Sequence, residues 1–128
     1  MPHNMIEYTA DLEPLPDFGE VFAPIHMALE EMAGARIENS KSRSRAVETY
    51  IADGDPSHAM VHLEIRFMEG RSTEAKAELT ARCLEILRDA FATAGEERQL
   101  QISVEISDID RATYSKFPAG TIPPAPGR

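Results

Sequence analysis

With one cysteine, no tryptophan and no long apolar run, the 128-residue sequence is defined partly by what it lacks. A single thiol, Cys83, excludes an internal disulfide framework. No stretch approaches the roughly 20 apolar residues of a membrane span. The N-terminus has neither the basic nor the apolar region of a signal peptide, so a soluble, cytoplasmic protein is expected. Positive charge is scarce: 13 Lys and Arg stand against 22 Asp and Glu, a net charge of −9. That balance argues against general binding to nucleic acid or an anionic membrane. His3, His26, His58 and His62 show no HExxH or HxxxH spacing and no accompanying cysteine pattern, so no metal is expected. No glycine-rich phosphate loop and no GxSxG elbow occur, and no cofactor is expected.

What is present is a chain with 42% hydrophobic residues and clear periodicity. Its length suggests one domain, residues 1–117, followed by a proline- and glycine-rich tail, 118–128. Residues 2–8 read as a short strand. Phe18, Val21, Phe22, Ile25, Leu29 and Met32 form a helical stripe, with Asp17 as N-cap, Glu20 in capping-box position and Gly34 as the stop. Pro24 inside that stripe should kink the helix or mark its true start. Residues 41–51 have strand character, and "ADGDP" at 52–56 is a turn signal. Ala59, Val61, Leu63, Ile65 and Phe67 alternate with polar residues in the clearest strand of the sequence. A second helix begins at Ser72 or Thr73, and its stripe runs through Ala75, Leu79, Cys83, Ile86, Leu87, Ala90 and Ala94 to a stop at Gly95. Cys83 in that stripe reads as a small core residue. Residues 99–107 alternate again.

The order is strand, helix, strand, twice over. Right-handed crossovers then predict an α+β fold: two β-α-β units forming a four-stranded mixed sheet with two helices on one face. His62, Glu64, Arg66, Gln101, Ser103 and Glu105 fall on the opposite face, which must be solvated or meet other polar surface.

Against the acidic background, Lys41, Arg43 and Arg45 stand at every second position. In a strand they share one face, where their repulsion calls for water or an anion. They read either as a solvated basic edge that discourages aggregation or as an anion contact. Arg71 immediately precedes the second helix. It reads either as an exposed turn residue or as a carboxylate clamp beside the helix N-terminus. Pro2 opens the first strand, where a residue without an N–H is tolerated. If Met1 is removed, Pro2 is also a secondary amine that can act as a base. A base and a few placed cations suit a small anionic substrate.

The stretches "MPHNMIEYT", "KSRSRAV", "ADGDPSHAMVHLEIRFMEGRS" and "EISDIDRATYSK" resemble the 5-carboxymethyl-2-hydroxymuconate Δ-isomerase family of the tautomerase superfamily. The resemblance implies a cofactor-independent isomerase that moves a proton in an unsaturated 2-hydroxy or 2-oxo di- or tricarboxylic acid. It implies a homotrimer whose polar sheet faces surround a central space. The implied pathway degrades 4-hydroxyphenylacetate through homoprotocatechuate. Pro2 is the implied base and Arg71 the implied active-site arginine. Lys41, Arg43 and Arg45 all fit the family's strand-two cation; Arg43 is preferred, with Lys41 and Arg45 as substrate-binding neighbours. Asn4 stands where the family usually has an apolar residue. Alternatives are a keto–enol tautomerase of another oxo-acid and a non-catalytic trimeric binding module. Tyr114 and Phe117 read as packing residues or as groups donated across a subunit boundary.

Overall fold

Asp17 starts the first helix, α1 (Phe18–Ala33), as the pattern predicts. Its carboxylate accepts from the N–H groups of Gly19 and Glu20. Gly34 ends the helix in the left-handed region, at φ 67, where its N–H reaches the carbonyl of Glu30. The computed structural model describes residues 2–51 and 54–117. The expected tail, 118–128, and the state of Met1 lie outside them.

Pro24 neither starts nor ends α1; it sits within it. The helix loses one N–H donor there, yet Val21, Phe22, Ile25, Ala28 and Leu29 are buried on both sides of the proline. Packing of that face, more than local propensity, sustains the helix. The second helix, α2 (Thr73–Ala90), is capped by Ser72, whose hydroxyl accepts from the Ala75 N–H. It stops at Ala90, earlier than the expected Gly95. The chain then turns so that Phe91 and Ala94 enter the core, and the Gly95 N–H bonds the Phe91 carbonyl at 3.0 Å.

Four strands make one sheet in the order β2-β1-β3-β4: β1 (His3–Thr9), β2 (Lys41–Val47), β3 (His58–Met68) and β4 (Gln99–Ile109). β1 runs parallel to β2 and antiparallel to β3, and β3 runs parallel to β4. The predicted pair of β-α-β units is therefore present. β2 is shorter than the expected 41–51. Its neighbour β1 ends at Thr9, which pairs with Val47, and beyond that point no ladder remains to extend.

Ile6 of β1 and Ala59, Val61, Leu63, Ile65 and Phe67 of β3 face the helices and are almost fully buried. Leu100, Ile102, Val104 and Ile106 of β4 pack on the flank of the same core. Cys83 is wholly buried, and burial pushes its thiol up to about 12, which leaves it unreactive. The other sheet face is polar and ordered: His62 joins Ser103 Oγ at 2.6 Å and Glu105 Oε1 at 2.8 Å. Leu63 sits at the centre of the apolar layer. Leu63→Ala is expected to lower the unfolding free energy by about 2–5 kcal/mol in denaturant titrations.

Candidate active site

Two ends of the sheet differ in chemistry. At the C-terminal end of β1, a cavity of about 300 Å³ is lined by Thr9, Asp11, Thr49, Tyr50, His58 and Arg98, among others. None of the residues singled out from the sequence as a site lies there. Arg98 ties that end together, donating to the carbonyls of Pro56, Ser57 and His58 and to Asp11. The sequence-predicted residues gather toward the opposite end, at the start of β1.

Pro2 is buried, and its carbonyl accepts from the Lys41 N–H at 2.9 Å. Alternation carried back from Ile6 and Asn4 puts Pro2 on the helix side of the sheet. The antiparallel register pairs His3 with Arg66, so its next step sets Pro2 against Phe67. Above the Phe67 ring, 4.7 Å from its centroid, lies the Arg71 guanidinium.

Arg71 is fixed by backbone on two sides. Its Nε donates to the Ala33 carbonyl at 2.9 Å and its Nη1 to the Met68 carbonyl at 2.8 Å. Gly70, at φ 122, supplies the turn that folds the chain back between β3 and α2. Burial, then the nearby charge of Arg111, lowers the basicity of Arg71 from its ordinary value, though a guanidinium stays charged near neutrality. The remaining N–H groups of the fork are directed by these two bonds and can engage an anion.

The cation row of β2 lies elsewhere. Lys41, Arg43 and Arg45 pair in register with His3, Met5 and Glu7, and so project from the face away from the helices. Lys41 Nζ donates to the Asn39 carbonyl at 3.0 Å, and Arg45 pairs with Glu7. That carboxylate relieves part of the expected like-charge repulsion. Within one chain, Pro2 and Arg71 thus share a side and an end of the sheet. The three cations start at that end but occupy the other face.

Four contacts near Pro2 carry no signature in the sequence pattern. Asn4 Nδ2 donates to Ser42 Oγ at 3.1 Å, and Ser42 Oγ lies 2.5 Å from His26 Nε2. His3 bridges Tyr114 and Arg43. Tyr114 is therefore drawn to the sheet within its own chain, whereas Phe117 is 98% exposed. A signal existed for His26: it follows Phe22 by one helical turn and stacks on its ring, with centroids 6.0 Å apart.

Comparison with known proteins places these features in a family. Residues 2–119 match the sequence profile of the 5-carboxymethyl-2-hydroxymuconate isomerases. The chain is similar to the 5-carboxymethyl-2-hydroxymuconate Delta-isomerase of Escherichia coli, with 28% identity over 110 residues, 85% of this chain and 87% of the relative. A crystal structure of a 5-carboxymethyl-2-hydroxymuconate isomerase from Deinococcus radiodurans superposes with a TM-score of 0.78 at 33% identity, covering 90% of this chain and 87% of that one. A fused 4-OT symmetric trimer shares the fold, with a TM-score of 0.70 at 16% identity over 91% of this chain and 93% of that one.

His3 gives the folded chain a pH dependence of its own. Arg43 Nη1 lies 3.4 Å from His3 Nδ1, and the Tyr114 hydroxyl lies 3.0 Å from Nε2. An arginine only donates, so Nδ1 accepts and Nε2–H donates to Tyr114. Burial foremost, then Arg43 and Lys41, hold the imidazole pKa below its ordinary 6.5. The unfolded chain therefore takes up the proton more readily. This contribution to stability is complete above pH 6.5 and is lost as the pH falls through the lowered folded value. Unfolding free energy measured from about pH 7.5 down to about pH 5 should fall, and less steeply in His3→Gln.

Proposed function

This chain belongs to the 5-carboxymethyl-2-hydroxymuconate isomerase family, and we propose that it moves its substrate's proton with the amine of Pro2, freed by removal of Met1. The chain is an isomerase of the tautomerase superfamily. The observation that supports Pro2 as base is its burial at the end of the sheet where Arg71 is held over Phe67.

The substrate class is an unsaturated 2-hydroxy or 2-oxo acid with two or three carboxylates, as in the homoprotocatechuate route of aromatic breakdown. The neutral amine removes a proton activated by the conjugated carbonyl. A dienolate forms, and the same nitrogen returns the proton to another carbon. An N-terminal amine titrates near 8, and burial beside a cation disfavours its charged form, bringing it toward neutral pH. Such a base works best when its pKa is near the ambient pH. Arg71 pairs with a substrate carboxylate and with the charge that develops on the dienolate oxygen. Arg43, flanked by Lys41 and Arg45, supplies a second anion contact. Because these side chains leave β2 on the other face, they act at a subunit boundary of a homotrimer. The trimeric relative of the same fold supports that assembly. So do the two edge strands, β2 and β4, and the exposed rings of Tyr50 and Phe117. A free, buried thiol suits the reducing cytoplasm.

The deciding experiment is steady-state kinetics on Pro2→Ala, with mass spectrometry to verify loss of Met1. Turnover should drop by about 10²–10⁴, the usual share of a positioned base. Arg71→Ala should lower turnover and raise KM together. Near-wild-type rates in correctly processed Pro2→Ala would overturn the mechanism.

A further inference from the structure

The three cations of β2 have partners of different kinds. Lys41 Nζ donates to the Asn39 carbonyl, and Arg45 is neutralised by Glu7. Arg43 instead meets an imidazole: its Nη1 lies 3.4 Å from His3 Nδ1. Among the described residues, no carboxylate pairs with Arg43. Burial, then the charges of Arg43 and Lys41, keep the pKa of His3 below its ordinary 6.5, so the ring is neutral near pH 7. A neutral acceptor orients the guanidinium without cancelling its charge. A neutral imidazole has only one acceptor nitrogen, and Arg43 takes it. Nε2 therefore carries the proton and donates to the Tyr114 hydroxyl, 3.0 Å away. Which ring nitrogen is protonated is set by the bond that the other one makes. Tyr114 thus keeps Nδ1 without a hydrogen and available to Arg43.

Tyr114 is itself held in place. The Asp110 carboxylate caps one turn of 3₁₀ helix, Arg111–Thr113, and the Arg111 N–H donates to Glu69 Oε2 at 2.9 Å. These bonds start the chain on its way from the end of β4 to the start of β1. There Tyr114 meets His3 edge-on, with ring centroids 6.2 Å apart. We propose that Tyr114 and His3 are positioning residues, which together hold the Arg43 guanidinium where it receives a substrate carboxylate. The proposal rests on the reading of Arg43 as an anion contact. A guanidinium has five N–H groups. The bond to His3 uses one, and the rest of the fork suffices for a bidentate carboxylate pair. Arg43 stands exposed on an edge strand, where an unanchored side chain would give up its rotamer freedom on binding. A side chain anchored in advance gives up less, and the substrate binds more tightly for it.

The test is a double-mutant cycle on the processed full-length protein, read by steady-state kinetics with a conjugated 2-hydroxy diacid. Tyr114→Phe keeps the ring and removes the hydroxyl. It should raise KM by about threefold to tenfold, the worth of one hydrogen bond, and leave kcat within about twofold. Arg43→Met should raise KM at least as much. In the Arg43→Met background, Tyr114→Phe should add nothing, because its effect passes through Arg43. His3→Gln keeps one acceptor and one donor and should stay closer to wild type than His3→Leu. That pair gives the same comparison should Tyr114→Phe fail to fold. An unchanged KM in Tyr114→Phe beside a raised KM in Arg43→Met overturns the positioning role alone. So does an additive loss in the double variant, or a fall in kcat in place of the rise in KM; either would mark a structural role. A wild-type KM in Arg43→Met overturns the reading of Arg43 as an anion contact, and the proposal with it.

Discussion

Pairing of β1 on both flanks is the constraint from which the rest of the site follows. Held parallel by β2 and antiparallel by β3, the strand has no freedom of register. A one-residue slip would turn Ile6 to the polar face and bury Glu7. The same two ladders decide what surrounds the chain start. Arg66 comes opposite His3, one step before Phe67, Ser42 lies beside Asn4, and Lys41 is within one backbone bond of Pro2. A terminal amine is normally the most mobile group of a protein. Here the residue that would carry it is buried at the beginning of a doubly paired strand.

Arg71 shows the same economy of position. Its carbonyl partner Ala33 is the last residue of α1, where orphan carbonyls and the negative end of the helix dipole favour a cation. The residue after Arg71 caps α2, whose free N–H groups favour an anion. One helix end holds the guanidinium in place and another begins beside it. Neither interaction needs a salt bridge, so the positive charge of Arg71 is oriented without being cancelled. A donor that is already oriented need not reorganise when negative charge develops nearby, and that is the property most useful to an enolising enzyme.

Much of this was legible in the sequence because it depends on local pattern. The alternation of β3 and the caps at Asp17, Gly34 and Ser72 follow from spacing and hydrogen-bond chemistry. What was not legible depends on contacts between distant segments. Pro24 is tolerated because the buried face of α1 outweighs one missing bond. β2 ends at Val47 because β1 runs out. α2 ends early because Phe91 and Ala94 have a place in the core. The parity of Lys41, Arg43 and Arg45 was readable, but the face it selects relative to Pro2 required the parallel register. The Asn4–Ser42–His26 contacts join β1, β2 and α1, and no periodicity brings three such residues together.

The cations of β2 carry two demands that the single chain satisfies only in part. An edge strand exposes unpaired backbone, and charges along it deter indiscriminate pairing. Glu7 neutralises Arg45, and neutral His3 sits against Arg43 without adding charge. Among the described residues, no carboxylate pairs with Arg43, although acids outnumber bases by 22 to 13. Charging His3 would place a third cation beside Arg43 and Lys41, so the lowered imidazole pKa preserves a site that repels protons and remains open to anions. In the proposed homotrimer, that face meets a neighbour. The row which protects a lone edge then becomes a row of anion contacts, and the acidity of the remaining surface helps to confine small anions to it.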